Sequence, residues 1–145
     1  MSLPQRDSQY HTYGEYLRWT ENQREELIDG ISYIREPPAP LWRHQDFVRE
    51  LLYQLRAALG HKPWSVQVAP CDVRLPKSDE ADEDIDTVVQ PDVLIVCDRN
   101  KIDARGVRGA PDWIAEVLSD LVQYHRQYPT MILCESSTRK LATFE

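Results

Sequence analysis

No apolar run in the chain approaches the roughly 20 residues that a membrane-spanning helix needs, so no such span is expected. The segment from Met1 to Tyr13 is polar, and no signal peptide is expected there. Cysteine is scarce. Cys71, Cys97 and Cys134 are odd in number and far apart, form no CxxC pair, and have no nearby histidines to complete a zinc site. Buried, reduced thiols in a cytoplasmic protein are the expectation. An excess of positive charge is lacking too. The net charge of −7 argues against a broadly basic nucleic-acid surface. Asp79, Glu80, Asp82, Glu83, Asp84 and Asp86 are six acids in eight residues, and removing six negative charges from −7 leaves −1. A local basic patch elsewhere therefore stays open. Like charges this dense do not pack together, so 77–87 reads as a solvated loop. Internal repeats and linker-like stretches are also missing, and residues 1–145 read as one domain with one core.

What is present is a series of patterned segments. Thr12-x-x-Glu15 has the form of a capping box and predicts a short helix over 13–19. Asp29-Gly30 lies between two strand-like runs and predicts a β-hairpin, because a type I′ turn needs positive φ at both central residues. Phe47, Val48, Leu51, Leu52, Leu55 and Leu59 recur at helical spacing and cover about 140° of one face, with Gly60 as the stop. His44 falls near the middle of that stripe and Glu50 at its edge. His44 reads either as a capping or core histidine bonded to backbone or as a functional group. Strands are expected at 65–68, 72–75, 88–96 and 113–118. The apolar run after Asp92 suits a central strand covered on both faces. Residues 99–111 are polar and contain glycine, and read as a loop. Beyond Ser119, 121–128 and 137–144 read as helices and 131–134 as a short strand.

Two of these strands each set one acid in an apolar context: Asp92 behind Pro91, and Glu116 between Ala115 and Val117. A carboxylate buried alone is costly, so each should be paired, protonated or metal-bound. Two acids on neighbouring strands can share a hard cation whose shell water completes, and Mg²⁺ or Mn²⁺ suits such oxygen donors. The structural alternative is that Asp92 caps a turn and Glu116 pairs with Arg74 or Arg108. Spacing alone supports both readings equally. Asp72 and Arg74 read as a structural pair on one strand face.

Several strings occur in order: Tyr13-Gly14-Glu15-Tyr16-Leu17, Glu26-Leu27-Ile28-Asp29-Gly30, Arg43-His44-Gln45, Ala69-Pro70-Cys71-Asp72-Val73-Arg74-Leu75, Val89-Gln90-Pro91-Asp92 and Glu116-Val117-Leu118-Ser119. Together they resemble the Uma family of restriction-endonuclease-like proteins, within the PD-(D/E)xK nuclease superfamily. The resemblance implies an α/β (α+β) restriction-endonuclease-like core with a central mixed sheet flanked by helices, an N-terminal helix and a hairpin. It aligns Pro91-Asp92 with the "PD" element and Glu116-Val117-Leu118 with the "(D/E)xK" element. Asp92 and Glu116 are then the metal-binding carboxylates, Mg²⁺ or Mn²⁺ the cofactor and DNA the partner, with a homodimer as the expected assembly. Leu118 stands where the superfamily has lysine. The family is thought to supply that lysine from the following helix, and Ser137 to Glu145 is similar to that helix, which makes Lys140 the candidate catalytic lysine. Glu26, His44, Glu50 and Gln90 lie in or beside family-like strings and are candidate supporting residues. The tail 120–145 departs from the family pattern, and no final strand is expected. A truncated chain, a shifted frame or a diverged tail would each look like this. The implied activity is metal-dependent phosphodiester hydrolysis. The alternative is a catalytically degenerate nuclease fold that binds DNA or protein.

Overall fold

A computed structural model of the chain describes residues 5–19, 24–35, 42–117 and 131–135, with 35 and 131–135 described by backbone alone. Among them the secondary structure gathers into two compact units, each with its own sheet. One sheet is mixed and both units carry helix, which is the α+β class expected from the sequence.

The first unit begins with α1 (Tyr13–Tyr16), a single turn where the sequence suggested a slightly longer helix. The Thr12 N–H donates to Glu15 Oε2 at 3.2 Å, which is the reverse bond of the expected capping box. Strands β1 (Arg24–Ile28) and β2 (Ile31–Arg35) form the expected hairpin. Ile28 pairs with Ile31 across a turn in which Asp29 has φ 51° and Gly30 φ 79°. Both central residues thus take the left-handed region that a type I′ turn demands. The unit also holds β4 (Val73–Arg74), β5 (Val88–Val89), β7 (Ile102–Asp103) and β8 (Gly106–Arg108). The sheet order is β2-β1-β5-β4-β8-β7, with β4 and β8 parallel and the other pairs antiparallel. Tyr13, Leu27, Ile85 and Val88 form its apolar centre.

Three expectations are corrected in this unit. The segment read as a loop after Arg99 contains β7 and β8. An ideal Cβ on Gly106 would lie 2.3 Å from the Asp72 carbonyl oxygen, and the Val107 N–H donates to that same oxygen at 2.8 Å. Glycine here is a site of close backbone approach rather than a loop marker. The acidic segment is solvated only in part. Asp79, Glu83 and Asp84 are exposed, whereas Asp82 is ion-paired with Arg74 and Arg108. Asp86 is buried and accepts bonds from Tyr10 Oη at 2.9 Å and Lys77 Nζ at 2.7 Å. Finally, Arg74 pairs with Asp82 and Asp103 and not with Asp72.

The second unit contains α2 (Trp42–Leu59), β3 (Ser65–Val68), β6 (Val93–Val96), β9 (Trp113–Val117) and β10 (Met131–Glu135). Its sheet is antiparallel, in the order β10-β9-β6-β3. The expected strand over 88–96 is broken: β5 and β6 belong to different sheets, separated by Gln90-Pro91-Asp92. Proline has no N–H to continue a ladder, which suits the break. β6 is an inner strand and all four of its residues are buried, as the apolar run foretold. Val48, Val93 and Ala115 form the core, with Leu51, Leu55, Val66, Val68, Trp113 and Val117 packed on them. Phe47, at one edge of the helical stripe, is 47% exposed. The Gly60 N–H donates to the Arg56 carbonyl at 3.2 Å and ends α2. No helix among the described residues is long and apolar enough to cross a membrane.

Candidate functional site

The geometry around Asp92 follows from the proline before it and the strand after it. Pro91 closes off the preceding segment, and β6 begins at Val93. Asp92 is buried, and its carbonyl accepts the Ala69 N–H at 3.1 Å. Its carboxylate Oδ2 accepts the Val117 N–H at 2.8 Å. That bond ties the acid to the end of β9.

The register brings Glu116 level with it. Ile95 pairs with Trp113, Leu94 with Ile114 and Val93 with Ala115. One step further along the same register sets Asp92 beside Glu116 at one end of the two inner strands. Residues opposite one another in such a ladder have Cα atoms roughly 4.5–5.5 Å apart. Glu116 is half-buried. On its other side β9 pairs with β10, where Glu116 faces Ile132.

The third polar group is His44, from the second helical turn's worth of the apolar stripe on α2. Its Nε2 lies 3.6 Å from Asp92 Oδ1, with the two side chains 10% and 7% exposed. This exceeds the hydrogen-bond range of about 2.7–3.2 Å. His44 Nδ1 is buried and has no hydrogen-bond partner among the described residues. The reading of His44 as a histidine satisfied by backbone is therefore not what these residues form.

The other expected site residues fall elsewhere. Glu50 is exposed on α2 and accepts a bond from Gln54 Nε2 at 2.9 Å. Glu26 and Gln90 belong to the first unit, where the Gln90 N–H donates to Glu26 Oε1 at 2.6 Å. Gln90 Nε2 donates to Asp72 Oδ1 at 2.8 Å and to Tyr16 Oη at 3.0 Å, and Arg24 Nε donates to Gln90 Oε1 at 3.1 Å. Lys140 and Leu118 lie outside the described residues. Among the described residues, no three His, Cys, Asp or Glu side chains are gathered into a group able to hold a metal ion.

A polar cluster in the first unit went unread in the sequence. The Tyr13 and Tyr16 hydroxyls donate to the Asp72 carboxylate at 3.3 and 3.2 Å. Burial, and then the Asp72 charge, pushes the Tyr13 hydroxyl up to about 12 and raises Tyr16 also. Both are therefore firm donors near neutral pH. The available signal was their i, i+3 spacing in a capped turn, which places them on one face.

Comparison with known proteins adds the family. No curated protein matches the chain closely enough to count as a relative. One family model, Uma2, described as "Putative restriction endonuclease", matches residues 13–137. That span covers most of the chain and takes in β6, β9 and the helix bearing His44, and on this match the chain belongs to the Uma2 family.

Proposed function

We propose that the chain is a divalent-metal-dependent DNA endonuclease that hydrolyses phosphodiester bonds, with Asp92 and Glu116 as metal ligands. The observation that carries this reading is the register that sets the two acids level at the end of β9 and β6. The donor set fits a hard ion. One Asp92 oxygen is held by the Val117 N–H, which fixes the carboxylate and leaves Oδ1 to coordinate. Mg²⁺ and Mn²⁺ commonly take one or two carboxylates and keep several waters, so two acids suffice without a protein cage. When bound, such an ion lowers the pKa of a water and neutralises charge on a phosphate oxygen. Asp92 and Glu116 hold and orient it, and the apolar packing of Val48, Val93 and Ala115 keeps the strand ends rigid. Lys140 is proposed as the group that supplies the positive charge for which Leu118 cannot serve.

Plasmid nicking in Mg²⁺ or Mn²⁺ tests this. Outer partners of metal ligands cost about 10–100-fold when removed, so Asp92→Ala, which deletes a ligand, is expected to lose roughly a hundredfold or more. Undiminished cleavage by that variant would overturn the proposal. Leu118 at the lysine position favours a second reading, a nuclease fold that binds DNA without cutting it. Retention of DNA with no cleavage in any divalent ion is the outcome that supports it.

A further inference from the structure

We infer that His44 is a third ligand of the same metal, through Nε2, and that the site therefore takes a borderline transition ion such as Mn²⁺ or Co²⁺ in preference to Mg²⁺. This rests on the proposed metal at Asp92 and Glu116.

The argument begins with the cost of the ring where it lies. His44 is nine-tenths buried on the core-facing side of α2, near Val48 and Leu51 in sequence and periodicity. A buried polar nitrogen without a hydrogen bond is unfavourable by a few kcal/mol at most sites, and such groups are rare. Nδ1 has no partner among the described residues, and Nε2 faces Asp92 Oδ1 from 3.6 Å. The ring thus points at a carboxylate without bonding to it.

That separation has a simple chemical reading. Two donors bound to one ion at about 2.0–2.2 Å each, with an angle between roughly 90 and 120°, lie about 3.0–3.6 Å apart. The distance is long for a hydrogen bond and right for two ligands flanking a cation. The two oxygens of Asp92 also divide the work in the required way. Oδ2 is occupied by the Val117 N–H, and Oδ1 is the one turned toward His44.

Ligand chemistry then selects the ion. Imidazole is a borderline donor that suits Mn²⁺, Co²⁺ and Zn²⁺, whereas Mg²⁺ favours oxygen alone. A site of one imidazole and two carboxylates with open positions for water is a transition-metal site. Its place on α2 and on the ends of β6 and β9 keeps all three ligands on regular elements of one unit.

The test needs no catalysis. Mn²⁺ is titrated into the metal-free full chain and followed by electron paramagnetic resonance, and pulsed measurements on the bound ion read ¹⁴N coupling. The expected result is a bound Mn²⁺ with a histidine ¹⁴N coupling that His44→Gln removes. That variant should weaken Mn²⁺ and Co²⁺ binding about tenfold or more and Mg²⁺ binding much less. His61→Gln, an exposed control, should retain the coupling. Mn²⁺ binding that Asp92→Asn abolishes but that shows no ¹⁴N coupling would overturn the assignment of His44 and leave the carboxylate site standing. No Mn²⁺ binding by the unaltered chain would overturn both. If His44→Gln fails to fold, the ¹⁴N coupling of the unaltered chain decides, because its absence alone refutes the ligand role.

Discussion

Arg74 carries a guanidinium into a fully buried position on β4, and its partners explain how that is tolerated. Burial disfavours the charge, but Asp103, bonded at 2.6 Å, and Asp82 raise its pKa in net. Asp82 in turn accepts a bond from Arg108 Nε at 2.8 Å. Removing one member of a buried ion pair leaves the others uncompensated, at a cost of about 3–5 kcal/mol when all are dry. Asp103 and Asp82 are partly exposed, so Arg74→Met is expected to cost about 2–4 kcal/mol. Urea unfolding measures it, and Asp82→Asn in the same chain should recover part of the loss. A change below about 0.5 kcal/mol, the size of a neutral surface substitution, would refute the structural role given to Arg74.

At the scale of elements, short strands depend on close backbone approach. β4 and β8 have two and three residues, and their parallel pairing brings Gly106 against the Asp72 carbonyl. Gly106 also has φ 119°, outside the range of ordinary side chains. A methyl group there meets backbone that cannot rotate away. Gly106→Ala is therefore expected to destabilise the chain by about 2 kcal/mol or more. Hydrogen exchange should localise the loss to the amides of β8 and β7. Slow exchange there, as in the unaltered chain, would show that the approach is not needed.

At the scale of the whole molecule, ionisable groups set a pH window. Burial pushes the His11 imidazole down, but bonds to Asp7 at 2.8 Å and Glu15 at 3.2 Å bring it above 6.5 in net. A raised imidazole stabilises the fold below pH 6.5 and loses that contribution as pH climbs through its folded value. Several carboxyls shift the other way. Burial pushes Asp86 up, but Lys77, Tyr10 and Thr87 bring it below its usual 3.8. The bond from Arg74 lowers Asp103, and the Lys77 N–H, then the Ser78 hydroxyl, hold Glu80 at about 2. These stabilise the fold above the ordinary carboxyl values of 3.8–4.5 and lose it as pH falls. The metal-free chain should therefore melt highest between about pH 4.5 and 6.5. In thermal scans His11→Gln should flatten the alkaline limb and keep the acid one. An unchanged alkaline limb would remove His11 from this account.

Much of this was legible before any coordinates. The Asp29-Gly30 turn, the α2 stripe and the buried β6 are local matters, set by φ restrictions and by a 3.6-residue or continuous apolar pattern within a dozen residues. The pairing of Asp92 with Glu116 could be named from motif order. What the sequence could not determine depends on contacts between distant segments. Gly106 looks like a loop residue until Asp72 approaches it, and the acids at 82 and 86 look solvated until Arg74, Arg108 and Lys77 reach them. Asp72 and Arg74 look like partners until each meets residues far away in the chain. His44 is the sharpest case. Helical periodicity alone placed it among leucines and valines, and only the tertiary fold set its Nε2 3.6 Å from Asp92, because packing α2 on β6 and β9 is what brings those segments together.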